Sequence, residues 1–335
     1  MQRRQLLWGL PVTLASAWLT RSWLSKARAA PGSASKAIPR RALGSTGEQV
    51  SMVGLGGYHI GVQKDARESI RIIRTALDAG VNFLDNCWDY NDGESERRMG
   101  QALRDGYRDK AFVMSKIDGR NRAAAAKQID ESLQRLQTDR IDLMQVHEVI
   151  RDSDPERVFA AGGAMEALIA AQKAGKIRYL GFTGHKSAAI HAKMLSVAAQ
   201  HNFKFDTVQM PLNVMDAHDD GFEKRILPLL TAQKIGVLGM KPLGSGIILK
   251  SGKVSAIQCL HYAMSLPTSV VITGCDSMRV LQQALTAART WKPLAAAARD
   301  ALLARTAKPS AEKRYELYKT SQQFDGTEHN PHWLG

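Results

Sequence analysis

The chain has 335 residues, 44% of them hydrophobic and 23% charged, which is enough apolar content for a large buried core and too much for a disordered polymer. Its formal net charge of +14 is scattered without dense basic clusters or interleaved aromatics, which argues against a nucleic-acid surface and for attraction of a small anionic ligand. Cys87, Cys259 and Cys275 lie far apart with no paired spacing, so buried free thiols are expected rather than a disulfide framework.

Residues 1–29 read as a leader. Arg3 and Arg4 precede an apolar stretch from Leu6 to Leu19, which is too short for a membrane span and contains Pro11, and Ala27-Arg-Ala29 forms a small-residue exit. The adjacent arginines followed by Gln5-Leu6-Leu7 resemble a bacterial twin-arginine signal, which carries folded proteins, so a periplasmic protein that meets a membrane only during export is expected. An uncleaved N-terminal anchor is the alternative. Removing the five basic residues of this segment leaves about +9 on the mature chain.

From about residue 40 to 320 a single domain is expected, with residues 321–335 as a polar C-terminal tail. Apolar, β-branched runs recur near Val50–Leu55, Val81–Leu84, Ala111–Ser115, Ile141–Val146, Ile177–Phe182, Phe205–Met210, Gly236–Met240 and Ser269–Thr273. Helical patterns such as Ala66–Ala79, Ala123–Leu136 and Ala164–Ala174 stand between them. Eight such strand–helix units predict an α/β fold, a (β/α)8 TIM barrel. Ala79-Gly80-Val81, Ala174-Gly175-Lys176 and Ile235-Gly236-Val237 each place a glycine at a helix-to-strand joint, where a left-handed cap is expected. An open doubly wound sheet is the rival, but Gly54-Leu55-Gly56-Gly57 supplies only part of its phosphate-loop fingerprint.

In such barrels chemistry sits at the C-terminal strand ends. Asp85 ends the second run, Tyr90 follows in its loop, Lys116 ends the third and His147 the fourth. A hydride delivered to a carbonyl builds negative charge on oxygen, so a donor must meet the developing alkoxide. Tyr90 can do so, with Lys116 lowering the phenol pKa, Asp85 holding Lys116 charged, and a neutral His147 orienting the carbonyl. No metal-ligand constellation is evident: His59, His147, His185 and His191 are isolated, and His329 with His332 falls in the tail. Taken singly, each of the four groups has an ordinary explanation as a cap, rim or surface residue.

The ordered set Asp85-Asn-Cys-Trp-Asp-Tyr90, Met114-Ser-Lys116, Gln145-Val-His147, Gly175-Lys-Ile-Arg-Tyr-Leu-Gly181, Val208-Gln209 and Gly236-Val-Leu-Gly-Met-Lys-Pro-Leu-Gly244 is similar to the aldo-keto reductases over about residues 40–290. The resemblance implies a nicotinamide cofactor, a small-molecule carbonyl substrate and a monomeric oxidoreductase. It assigns Gln209 to the carboxamide, Met240 to the nicotinamide face, and Leu243, Gly244 and Ser245 to the pyrophosphate loop. Gly274 and Ser277 would open the phosphate-facing helix.

Departures mark where the pattern weakens. The usual Ser-Asn after the fifth strand is Thr183-Gly184, the arginine expected at the 2'-phosphate maps to Val280 with Arg279 beside it, and a Glu-Asn pair maps to Gln283-Ala284. NADP, read by Arg279, is the expected cofactor and NAD the alternative. Tyr58, His59 and Trp88, the loop Asp118–Asn121 and Trp333 are the expected substrate rim. Two other functions fit the same barrel: a cofactor-retaining sensing module, and a sugar isomerase or hydrolase using Asp85 or Asp89.

Overall fold

The computed structural model of the chain describes residues 37–335, and the expected leader lies outside them. A short antiparallel hairpin, β1 (Arg40–Ala42) and β2 (Gln49–Ser51), precedes eight parallel strands. These are β3 (Val53–Gly56), β4 (Phe83–Asp85), β5 (Phe112–Ile117), β6 (Ile141–Val146), β7 (Ile177–Thr183), β8 (Thr207–Pro211), β9 (Gly236–Met240) and β10 (Val270–Gly274). They close into a barrel in chain order, with β10 pairing β3. The fold is the (β/α)8 barrel that the strand spacing predicts, and the open sheet is excluded.

Strand periodicity explains both what fills the barrel and what opens from it. Side chains alternate across a strand, so Phe83 and Asp85 share a face, as do Phe112, Met114 and Lys116, and Leu143 and Gln145. The apolar members of these rows, Phe83, Phe112, Met114 and Leu143, join Leu238, Val270 and Ile272 in one interior cluster. The intervening residues Val113, Ile117, Met144 and Val146 pack outward with the helices in the main core. Each row is therefore apolar at its start and chemically functional at its end.

The hairpin was not separable by pattern, because Val50–Leu55 reads as one run; the chain breaks at Met52 between β2 and β3. Leu43 and Val50 of the hairpin region close the bottom of the barrel by joining the interior cluster. Gly44 makes the closure possible: its φ is +55°, and a Cβ there would meet the backbone N of Gly236 at 2.4 Å. Two of the three expected glycine caps are left-handed, Gly80 at φ +100° and Gly175 at +75°. At the third joint Lys234 takes the left-handed position at φ +54°, leaving Gly236 as the first residue of β9.

His191 tests how burial governs stability. It is fully buried between Phe182 and Phe222, its Nδ1 has no hydrogen-bond partner, and burial pushes its pKa down to about 4. Below the unfolded value near 6.5, the unfolded chain takes up a proton that the folded chain refuses, so stability falls as pH drops from about 6.5 towards 4. The shift corresponds to a loss of up to about 3 kcal/mol. Urea melts of wild type and His191→Leu at pH 7 and pH 4.5 should show a smaller pH effect in the variant; equal pH effects would refute the assignment.

Candidate active site

Asp85, Tyr90, Lys116 and His147 converge at the C-terminal mouth of the barrel, on the wall of a cavity of about 940 Å³. Lys116 is only 1% exposed, and its Nζ lies 2.5 Å from Asp85 Oδ1, 2.7 Å from the Asn86 carbonyl and 3.2 Å from the Tyr90 hydroxyl. These contacts satisfy the three donors of the ammonium and aim one at the phenol. Tyr90 is carried there by a tight reversal in which Asn91, Asp92 and Gly93 all have left-handed φ. Its ring meets Tyr58 and His147 edge to face, with centroids 5.6 and 5.8 Å away.

Two electrostatic expectations reverse. Burial, followed by the Asp85 charge, pushes the Tyr90 pKa well above its ordinary value instead of lowering it. Asp85 sits against Lys116 and cancels much of the ammonium field, so desolvation of the phenolate dominates. Tyr90 therefore holds its proton at neutral pH. Burial alone would favour the neutral His147 imidazole that the sequence suggests, but the carboxylates of Asp89 and Asp118 outweigh it and raise its pKa. Burial and the neighbouring Asp118 charge in turn raise Asp89 to about 7.

Most of the residues assigned to the cofactor line the same cavity: Thr183, Gln209, Met240, Leu243, Ser245, Gly274, Arg279 and Gln283. Two do not. Gly244 has φ +54°, and a Cβ there would meet Ile248 and the Tyr315 carbonyl at 2.9 Å, and Ser277 caps the helix Met278–Thr290 by accepting from the Val280 N–H at 3.4 Å. Gln209 Nε2 is 3.5 Å from Asp85 Oδ2, while its Oε1 is buried in the cavity wall without a partner. An acceptor left in this state suits a ligand amide N–H.

The residues of the expected rim divide. Tyr58 and His59 line the cavity, but Trp88 turns away, donating Nε1–H to Glu131 Oε2 at 2.6 Å and packing against Trp333 at 5.7 Å. Asp118, Gly119 and Arg120 are buried behind the wall rather than exposed on it. The tail is no loose polar extension, since Gln323, Phe324, Gly326 and His329 line the cavity. Glu148 fastens it by accepting from the Gly326 and Thr327 N–H groups at 3.0 and 2.8 Å, and His185 Nε2 lies 2.8 Å from Asp325 Oδ1.

Sequence reasoning gives Lys241 no role, although it directly follows β9 much as Lys116 stands one residue before the end of β5, and the same strand-end rule applies to both. It holds a left-handed φ of +52°, its Nζ lies 4.6 Å from the Phe324 ring centre and 5.2 Å from that of Tyr318, and burial lowers its pKa to about 8. A lowered lysine pKa means the cation is present below about pH 8 and lost above it. Affinity for an anionic ligand in this cavity is expected to fall between pH 7 and 9 in wild type and to change far less in Lys241→Met, as read by fluorescence titration. A parallel decline in both proteins would rule Lys241 out.

The family model for the aldo/keto reductase family matches residues 52–300. Aldo-keto reductase YhdN of Bacillus subtilis is 31% identical over 228 residues, 64% of each chain. An aldo-keto reductase of Alternaria alternata is 29% identical over 275 residues, covering 68% of this chain and 71% of its own. A solved aldo-keto reductase from Bacillus halodurans, in its holo form, superposes with a TM-score of 0.67 over 80% of this chain and 96% of its own, at 21% identity, a likeness of fold. With a family model spanning the barrel from β3 to beyond β10, and a strand-end constellation of Asp, Tyr, Lys and His at its mouth, the chain belongs to the aldo/keto reductase family.

Proposed function

We propose that the chain reduces a carbonyl of a small molecule at the expense of a nicotinamide cofactor, with Tyr90 as the proton donor. The observation that carries this reading is the buried Asp85–Lys116–Tyr90 chain opening onto a cavity large enough for a dinucleotide and a small substrate. A bound nicotinamide would supply the hydride. Gln209 Oε1, orphaned in the wall, would accept from its carboxamide, Met240 would lie against its ring, and Arg279 at the helix start would meet phosphate.

The protein's own part is proton handling and orientation. Tyr90 donates O–H to the substrate oxygen as negative charge grows there, and Lys116, 3.2 Å from that hydroxyl, stabilises the phenolate left behind. All the described polar contacts of the His147 ring run through Nδ1, leaving Nε2 to orient the substrate oxygen. Because Tyr90 keeps its proton at neutral pH, the site favours reduction; alcohol oxidation, which needs the phenolate as base, should accelerate with rising pH.

Titrating the mature chain with NADPH and separately with NADH tests the reading. Saturable quenching of tryptophan fluorescence and NADPH oxidation with a panel of aldehydes are expected, with weaker NADH binding and loss of the preference in Arg279→Ala. Absence of binding by either cofactor would sink the proposal. A periplasmic location, with cofactor loaded before export and retained, is proposed from the sequence of residues 1–29; recovering nicotinamide-free protein from the exported fraction would oppose it.

A further inference from the structure

Beside His147, at the stretch of cavity wall that His147 and Asp89 help to form, four side chains of different chemistry meet. Cys87 Sγ, a carboxylate oxygen each of Asp89 and Asp118, and His147 Nδ1 all lie within 4.8 Å of one another. Nδ1 is at the centre, 2.9 Å from Asp118 Oδ1, 3.2 Å from Cys87 Sγ and 3.6 Å from Asp89 Oδ1. They come from three separate strand-end segments, following β4, β5 and β6, which is why the sequence shows no ligand spacing.

Hydrogen bonding within the protein leaves this cluster unsatisfied. A single ring N–H faces two carboxylates and a thiol, and it serves Asp118 Oδ1 at the shortest distance. Asp118 has no side-chain exposure, yet its Oδ2 has no partner, and Asp89 Oδ1 is likewise buried without one. Among the described residues, the cation-forming side chain within ion-pair range of either carboxylate is His147 itself. The adjacent guanidinium of Arg120 is spent elsewhere, on Asp154 Oδ1 and on the backbone carbonyls of Asp118, His147 and Glu148. Buried acceptors in this excess are costly unless a cation joins them.

The geometry points to a divalent metal site of the zinc class formed by Cys87 Sγ, Asp89, Asp118 and His147 Nδ1. A thiolate, an imidazole and two carboxylates are a ligand set that zinc accepts tetrahedrally, with ligand–ligand edges of roughly 3.3–3.8 Å following from bond lengths of about 2.0–2.3 Å. Of the observed separations the 3.6 Å one falls inside that range and the 3.2 Å one just below it, and the 2.9 Å Asp118 contact must open by a few tenths of an ångström. On binding, the thiol, the Nδ1 position and any protonated Asp89 carboxyl give up their protons to solvent, and the ring keeps its proton on Nε2. Arg120 braces the backbone on either side by bonding the carbonyls of both Asp118 and His147, as outer groups do around structural metals.

The site stands independently of the reductase reading; one consequence rests on it. Metal on Nδ1 would lock the tautomer whose Nε2–H faces the cavity, making the ion a positioning element for substrate orientation. Its effect on the substrate would run through the His147 ring.

The experiment is metal analysis of the purified full chain, followed by Co2+ titration of chelator-stripped protein. About one equivalent of zinc is expected after growth with zinc, together with a thiolate-to-cobalt charge-transfer band saturating at one equivalent. The band should vanish in Cys87→Ala and persist in Cys259→Ala and Cys275→Ala, whose thiols are buried elsewhere. In Asp118→Asn cobalt affinity should fall at least tenfold. Because Cys87→Ala could misfold, far-UV circular dichroism accompanies it, and the wild-type titration and Asp118→Asn stand without it. Well under one equivalent of metal with no cobalt band, or a band that survives in folded Cys87→Ala, overturns the site. Loss of turnover alone decides nothing about it, so failure of the reductase reading and failure of the metal site are read on different instruments.

Discussion

Replacing Tyr90 by Phe is expected to lower kcat/KM for carbonyl reduction by about 10²–10⁴, the usual contribution of a positioned general acid, while cofactor affinity stays within about twofold. The substitution removes one hydroxyl and leaves the ring, with its edge-to-face contacts to Tyr58 and His147, in place. Lys116 loses its 3.2 Å contact to the hydroxyl but keeps Asp85 and the Asn86 carbonyl, so the buried charge remains paired. A fall in kcat with cofactor binding preserved separates proton donation from assembly of the site. Turnover within threefold of wild type would mean that the proton comes from elsewhere, with His147 the next group to test. The same preparation discriminates the sensing-module alternative, which predicts cofactor binding without turnover in the wild type.

Arg120→Met is expected to destabilise the protein by about 3–5 kcal/mol, measured as a shift in urea unfolding midpoint at pH 7. Both members of the Arg120–Asp154 pair are fully buried, and Arg120 bonds four acceptors drawn from the segments after β5 and β6. Burial alone would raise the Asp154 pKa, but Arg120 and the N–H groups of Ile150 and Arg151 hold it below the ordinary carboxylate range. Removing the guanidinium leaves a buried carboxylate with half its support, and the cost is that of an uncompensated charge rather than of a lost contact. Asp154→Asn keeps the shape and two backbone bonds, so its effect should be smaller. A loss below about 1 kcal/mol in Arg120→Met would show that water reaches Asp154 and that the segment is less rigid than its bonding indicates.

How much of the site could be read in advance varies residue by residue. Asp85 and Lys116 were legible because each closes an apolar strand row, and the period-two alternation that places Phe83 or Met114 inside the barrel places them there too, whereas Gln209 follows only from the family resemblance. Trp88 was misjudged because its position in a loop says nothing of direction; the Glu131 acceptor that turns it away lies on the helix Arg122–Leu136. Ser277 reads as a phosphate contact because it opens a helix, yet its hydroxyl is used for the cap. The tail looked polar and detached, and only Glu148 and His185, far upstream, show that Asp325 and Thr327 have partners waiting.

By itself the sequence determined the eight-fold strand–helix repeat, the closure into a barrel and the strand ends where functional groups stand, because these follow from backbone sterics and side-chain alternation that act over a few residues. Tertiary structure alone decided the charge state of those groups and the company they keep. Whether Tyr90 is made more or less acidic depends on how completely Asp85 cancels Lys116 and how far water is excluded, and the gathering of Cys87, Asp89, Asp118 and His147 depends on the closure of three neighbouring strands. Desolvation and electrostatic fields act through space between residues distant in the chain, and no local pattern records them.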